Sequence, residues 1–210
     1  MTGIIGIDCS GSKTYLPLFV GACYSKERKD MEDIYKKIKA LAAKENKIFG
    51  YTREIKAVDL KSEFTMQQIL GEISKLEFNV LEIANDDFHL LRKTFSGSFK
   101  WELKLESVFW FMAMRKLLRH EPNTVFLDVH YTKPSDRKLF EFLLARFGEK
   151  EKVRTEFITV SSKTETAVKL ADIAAGALRK NSAIRKIYKN QVLQLDMKEV
   201  LRLMNDIRKI

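Results

Sequence analysis

Apolar and polar positions along this chain fall into blocks whose period changes, and the changes mark out its elements. Residues 3–9 and 14–24 are rich in β-branched and aromatic side chains and are split by Ser10, Gly11, Ser12 and Lys13, which predicts two strands joined by a turn. Over residues 28–44, Met31, Ile34, Ile38 and Leu41 recur at helical spacing among basic residues, the pattern of an amphipathic helix. Loose alternation over 51–59 predicts a strand, 65–76 a helix and Phe78–Ala84 a strand. Asn85–Gly97 is polar and reads as irregular. A long helix is expected from about 99 to 119, then a central strand at Thr124–His130. Ser135 suits the N-cap of a helix to Phe147, with Gly148 in its C′ position, and Val153–Val160 reads as a strand. Ser162, Lys163, Thr164 and Glu165 form a capping-box pattern opening a helix to about 180. Asp196 with Glu199 is a second such pattern, opening a last helix with Val200, Leu203, Met204 and Ile207 inward.

Strands and helices alternate with no internal repeat and no Pro/Gly-rich linker. This predicts an α/β domain over residues 1–180 followed by a helical C-terminal extension at 181–210. A hydrophobic content of 45% with 31% charged residues is that of a folded domain. The richest apolar run, Val108–Met114, is seven residues long, far short of the roughly 18 needed to suggest a membrane span. No basic-then-apolar leader opens the chain. No membrane partner is therefore expected, and the location reads as intracellular and cytoplasmic. Cys9 and Cys23 lie at opposite ends of the expected hairpin, too far apart to bridge, and no thiol metal-site spacing is present.

The formal net charge is +10. Excess positive charge attracts polyanions through counterion release, or simply belongs to a basic cytosolic protein. One patch stands out: Arg179, Lys180, Arg185, Lys186 and Lys189 fall within eleven residues with no acid among them. It is the candidate nucleic-acid-binding segment, for DNA or RNA. The C-terminal helix offers a surface for a homodimer.

Four acids occupy positions where an unpaired charge is costly. Asp8 ends the apolar run Ile4-Ile5-Gly6-Ile7. Asp128 lies inside Val125-Phe126-Leu127-Asp128-Val129, sharing a face with Phe126 and His130. Glu106 lies on the stripe of Phe99, Leu103, Phe109, Trp110, Ala113 and Leu117, with Lys104, Arg115 and Arg119 opposite. Glu102, one turn earlier, is its competitor. Asp172 sits among the small residues of Ala171–Ala177, which let a helix approach its neighbour closely; a solvated acid paired with Lys169 is the plainer reading. Two strand-end aspartates, a helical glutamate and a late helical aspartate are what two-metal phosphodiester hydrolysis requires. Oxygen donors without thiolates favour Mg²⁺ or Mn²⁺, and His130 is a candidate proton carrier.

The order of these elements resembles the ribonuclease H-like superfamily. That resemblance implies a mixed five-stranded sheet with flanking helices and nucleic-acid cleavage with two metals. More narrowly, the ends of residues 3–180 resemble the domain of unknown function 3800, whose members begin with a strand leading into D-E-S-G and finish near Q-L-A-D-L-I-A-G. Here the corresponding stretches are Asp8-Cys9-Ser10-Gly11 and Lys169-Leu170-Ala171-Asp172-Ile173-Ala174-Ala175-Gly176. Cys9 replaces the glutamate and Lys169 the glutamine. The first change removes an acid beside the site, so a binding module of the same fold, weakened in catalysis, is the alternative. Gly6–Lys13 is also similar to the first phosphate loop of the sugar kinase, actin and heat-shock ATPase group, although those proteins generally need two such domains and no second loop is visible.

Overall fold

A computed structural model describes residues 2–12, 15–45, 54–118, 123–128, 131–161, 163–208 and 210. Six strands form a mixed sheet: β1 (Gly3–Ser12), β2 (Tyr15–Ser25), β3 (Glu77–Ile83), β4 (Asn123–Leu127), β5 (Thr155–Thr159) and β6 (Val192–Gln194). Their order is β5-β4-β1-β2-β3-β6. β1 and β3 run antiparallel to β2, whereas β4 runs parallel to β1 and β5, and β6 parallel to β3. The helices are α1 (Arg28–Glu45), α2 (Glu63–Ile73), α3 (Asn85–Phe95), α4 (Trp101–Met114), α5 (Pro134–Lys150), α6 (Thr166–Lys180), α7 (Ser182–Ile187) and α8 (Met197–Ile207).

Period-two alternation along the strands builds two cores, one on each face of the sheet. Ile5, Ile7, Val20, Ala22, Val125 and Leu127 pack with α3, α4, α5 and α8. Phe19, Cys23, Phe78 and Val80 pack with α1, α2 and α6. On the second face α6 lies unusually close to the strands. A Cβ at Gly6 would come within 2.0 Å of the Ala167 carbonyl carbon, and one at Gly21 within 2.4 Å of the Ala171 oxygen. The small residues of α6 do allow the close approach that the sequence suggested.

Several expectations need correction. β1 runs past the anticipated turn to Ser12, with a register irregularity between Ser10 and Ser12 where Gly11 takes a φ of 108°. Glu54–Lys56 and the 3₁₀ turn Ala57–Asp59 replace the strand expected over 51–59, whose residues 51–53 lie outside the described residues. Asn85–Gly97 is not irregular: it contains α3, whose Phe88, Leu91 and Phe95 are buried at helical spacing. Acids in the first turn of α3 and bases in the last suit the helix dipole. α5 begins from Lys133 rather than Ser135 and continues through Gly148 to Lys150. α6 starts after Glu165, whose carboxylate accepts the Ala167 N–H; Ser162 lies outside the described residues.

The sheet has a sixth strand, β6, because residues 192–194 pair with the open edge of β3. The apolar stripe of α8, offered above to a second copy, is buried in the chain's own core: Val200, Leu203, Met204 and Ile207 pack there. Asp196 caps α8 by accepting from the Lys198 and Glu199 N–H groups, as expected. Among the described residues no helix is long and apolar enough to cross a membrane.

α4 is buried nearly all round, so its wheel has no solvent side at Lys104, contrary to expectation. Lys104 is 1% exposed and, among the described residues, its ammonium reaches only the Arg208 carbonyl, at 3.4 Å. Burial pushes its pKa down. Replacing this poorly paired cation by an apolar side chain of similar length removes a desolvation penalty. Lys104→Met is expected to stabilise the fold by about 1 kcal/mol, measured by urea unfolding. A lower midpoint in the variant would contradict this account.

Candidate active site

Parallel pairing of β1 with β4 brings Ile7 level with Leu127, and the Asp128 N–H extends the ladder by donating to the Ile7 carbonyl at 3.4 Å. Asp8, inside β1, thus lies beside Asp128, just past the carboxyl end of the adjacent parallel strand β4, an edge where α/β sheets commonly bind ligands. Alternation fixes their common face. Ile5, Ile7, Val125 and Leu127 enter the α4 side of the sheet, so Gly6, Asp8, Ser10, Phe126 and Asp128 face α6. The close seating of α6 on Gly6 and Gly21 lowers Asp172 toward them.

Electrostatics place these three aspartates in one neighbourhood. Asp8 is 7% exposed. Its pKa is raised well above the usual carboxylate range, first by burial and then by the charges of Asp172 and Asp128; the Cys9 N–H and Lys56 oppose the rise. The Cys9 N–H donates to Asp8 Oδ1 at 2.6 Å. Asp172 is raised too, chiefly by burial, with Lys56 opposing and Glu54 and Asp128 adding to the rise. Its partner is Lys56, 3.7 Å from Oδ2, rather than Lys169, whose ammonium lies over the Tyr35 ring. At that distance the contact is an ion pair and not a hydrogen bond, and Asp172 Oδ2 is buried with no hydrogen-bond partner.

Glu106 approaches from the opposite layer. It is 6% exposed, whereas Glu102 is exposed to solvent. Tyr131 donates its hydroxyl to Glu106 Oε2 at 2.7 Å. Burial and the Glu106 charge push the Tyr131 hydroxyl pKa up. Cys9, on the α4 side of β1, stands between the groups. Burial first, then Glu106, Asp8, Asp172 and Asp128, raise its thiol well above its ordinary value. Cys9 and Cys23 are both free.

Among the described residues, no three His, Cys, Asp or Glu side chains converge closely enough to hold a metal ion as they stand. The donor chemistry nevertheless suits a hard divalent cation. Every acid involved offers oxygen, the charges of Asp172 and Asp128 raise the pKa of Asp8, and Asp172 Oδ2 is buried with no hydrogen-bond partner. His130 lies outside the described residues.

The basic segment divides. Arg179 and Lys180 line a cavity of about 320 Å³ together with Ser10, Lys56, Ala57, Asp172 and Gly176. The Lys180 ammonium also donates to the Leu60 carbonyl. Arg185 is turned inward: it meets Glu82 Oε1 at 2.5 Å and the Leu178 carbonyl at 3.1 Å, and stacks over Phe19. Lys186 and Lys189 are exposed beyond it.

Two residues of this neighbourhood escaped sequence reasoning. Tyr131 stands three positions after Asp128, a proximity that was itself a signal. Lys56 lies in a segment whose alternation suggested a strand and gave no sign of its target.

This sheet order, with helices on both faces, is that of the ribonuclease H-like fold. The comparison with solved structures agrees. RNase HII of Archaeoglobus fulgidus, determined in complex with PCNA, superposes with a TM-score of 0.54 at 15% identity, covering 90% of this chain and 77% of that one. Bst-RNase HIII in complex with Mn²⁺ gives 0.55 at 16% identity, and a point mutant of Bst-RNase HIII gives 0.54 at 18%. For each, 90% of this chain is covered, and the chain spans 56% of the RNase HIII length. At these identities the likeness establishes the fold. Neither a protein-family model nor a curated protein sequence matches the chain.

Proposed function

We propose that this chain is a divalent-metal-dependent nuclease that hydrolyses phosphodiester bonds of DNA or RNA. Asp8, Asp128 and Asp172 are the proposed ligands, with Glu106 contributing from the α4 side. The observation that carries the reading is the nearness of three aspartates, from β1, the end of β4 and α6, on one side of a ribonuclease H-like sheet, where Asp172 and Asp128 raise the pKa of Asp8. When bound, Mg²⁺ or Mn²⁺ ions supply activation of water and neutralisation of charge at the leaving oxygen. The chain's own groups do the rest. The Cys9 N–H orients Asp8, the Tyr131 hydroxyl orients Glu106, and burial of Asp8 and Glu106 limits access of bulk water. Arg179 and Lys180 offer positive charge to the phosphates beside Asp172. The Asp8–Gly11 and Lys169–Gly176 motifs support placing the chain near the domain of unknown function 3800. Two free thiols suit the reducing cytoplasm we propose as its location.

Labelled single-stranded and duplex DNA, RNA and hybrid oligonucleotides, incubated with Mg²⁺ or Mn²⁺, test the reading. At least one substrate is expected to be cleaved, cleavage stops in EDTA, and Asp172→Asn slows it on the order of 100-fold or more. Cleavage undiminished in that variant rejects the assignment. One observation favours a second reading, a binding module without chemistry: Cys9 occupies the position beside Asp8 that carries an acid in the resembling motif. In that case oligonucleotides bind in EDTA, no substrate is cut, and affinity falls steeply with salt.

A further inference from the structure

Lys56 has no role in the two-metal scheme, yet it stands at its centre. It precedes the 3₁₀ turn Ala57–Asp59, which packs against α6, and its ammonium reaches Asp172 Oδ2 at 3.7 Å. Its side chain is 48% exposed, so only the tip is committed and the stem is free to turn. The same residue lines the cavity of about 320 Å³ with Ser10, Asp172, Gly176, Arg179 and Lys180. The Lys56–Asp172 pair thus stands at the wall of a cavity that also carries Arg179 and Lys180 and is of a size to admit a phosphate group. The cavity floor stays low because position 176 is glycine: a Cβ there would lie 2.8 Å from Ala57 Cβ and 3.4 Å from Ser10 Oγ.

The charges make the two engagements exclusive. Clustered, desolvated carboxylates need a counter-charge. Lys56 is the cation that offsets both Asp8 and Asp172, and Asp172, Glu54, Asp8 and Asp128 all act on it in return. A divalent cation at the aspartates would compete for the same carboxylate oxygens and repel the ammonium. Released from Asp172, the ammonium has two partners of opposite charge within its reach: Glu54, whose charge also acts on it, and an anion held in the cavity that Lys56 already lines.

We propose that Lys56 is an exchanging cation: it pairs with Asp172 when no divalent ion is bound, and swings into the Ser10–Gly176–Arg179 cavity to hold a substrate phosphate when one is. This deepens the nuclease reading and rests on it for the identity of the phosphate. Lys56 would then touch both the metal ligand Asp172 and the substrate phosphate in turn, and its removal should move two readouts in opposite directions.

The experiment compares the full chain with Lys56→Met and Lys56→Arg. Titration with Mn²⁺ alone, followed by electron paramagnetic resonance, should show Lys56→Met binding the ion about fivefold more tightly than the parent, because an ion pair with an exposed lysine competes by about that factor. The same variant should show a several-fold higher KM for a labelled oligonucleotide in Mn²⁺, with kcat changed less. Lys56→Arg should remain near the parent in both. Unchanged or weaker Mn²⁺ binding by Lys56→Met overturns the proposal, as does an absence of Mn²⁺ binding in every protein. If no oligonucleotide is cleaved, the nuclease reading falls while the Mn²⁺ titration still decides the exchange, with oligonucleotide Kd in Mn²⁺ replacing KM. A thermal melt of each variant checks that the fold is intact.

Discussion

Asp8→Asn is expected to remove metal-dependent cleavage and, at neutral pH, to make the folded chain more stable. The first effect follows from losing a proposed ligand and should be on the order of 100-fold or more. The second follows from the raised pKa of Asp8, which burial and the charges of Asp172 and Asp128 cause. A carboxylate whose folded pKa lies above its unfolded value of about 3.9 keeps its proton longer in the folded chain. Stability is then lost as pH rises from about 4 through the folded value, and the penalty persists wherever Asp8 is ionised. Asparagine carries no charge to penalise. In EDTA at pH 7 the variant should melt higher than the parent, by a gain of about 1 kcal/mol, and at pH 4 the difference should shrink. A variant that melts lower at pH 7 would show that Asp8 is satisfied by partners other than a cation. The paired outcome, less activity with more stability, is the signature of acids gathered for chemistry rather than for folding.

Gly6→Ala is expected to be among the most damaging single changes in the chain. The added Cβ would stand 2.0 Å from the Ala167 carbonyl carbon, 2.2 Å from its oxygen and 2.5 Å from the Val168 nitrogen. These are backbone atoms of α6, so no side chain can yield. The helix must lift from β1, and the loss should be about 3 kcal/mol or more, above the ordinary cost of overpacking. Gly97→Ala is the control: its Cβ meets nothing within 4 Å, and a change within about 0.5 kcal/mol is expected. Urea denaturation of the two variants gives the comparison. Equal midpoints would mean that α6 seats less tightly on the strands than described. Because α6 carries Asp172, a folded Gly6→Ala protein should also bind Mn²⁺ more weakly.

Legibility in the sequence followed burial. Strands β1, β2 and β3 were readable because β-branched and aromatic residues concentrate in them. α8 was readable because Asp196 caps it and its stripe is clean. α3 was missed because exposed Asp86, His89, Arg92, Lys93 and Thr94 outnumber the three buried residues that hold it down. β6 was missed because a three-residue strand has no period to detect, and edge pairing alone defines it. The placement of Glu106 could be guessed from its stripe, but not the burial of Lys104 on the same helix, since α4 is covered nearly all round. For the site, strand order and close packing set Asp128 and Asp172 near enough to Asp8 for their charges to act on it. Lys56 and Tyr131 belong to connecting segments, whose side-chain targets are set by tertiary packing and leave no local pattern.

The order in which the chain is made gives the seating of α6 a last consequence. β1 and β2 emerge from the ribosome within the first 25 residues, but the helix that covers their glycine-floored face spans 166–180. Contacts so distant in sequence form late and slowly. Until translation has passed Lys180, that side of the hairpin lacks its cover and Asp8 lacks Asp172. A polypeptide released early carries the first acid of the cluster without the last. It is left with an uncovered sheet, a substrate for chaperones and proteases.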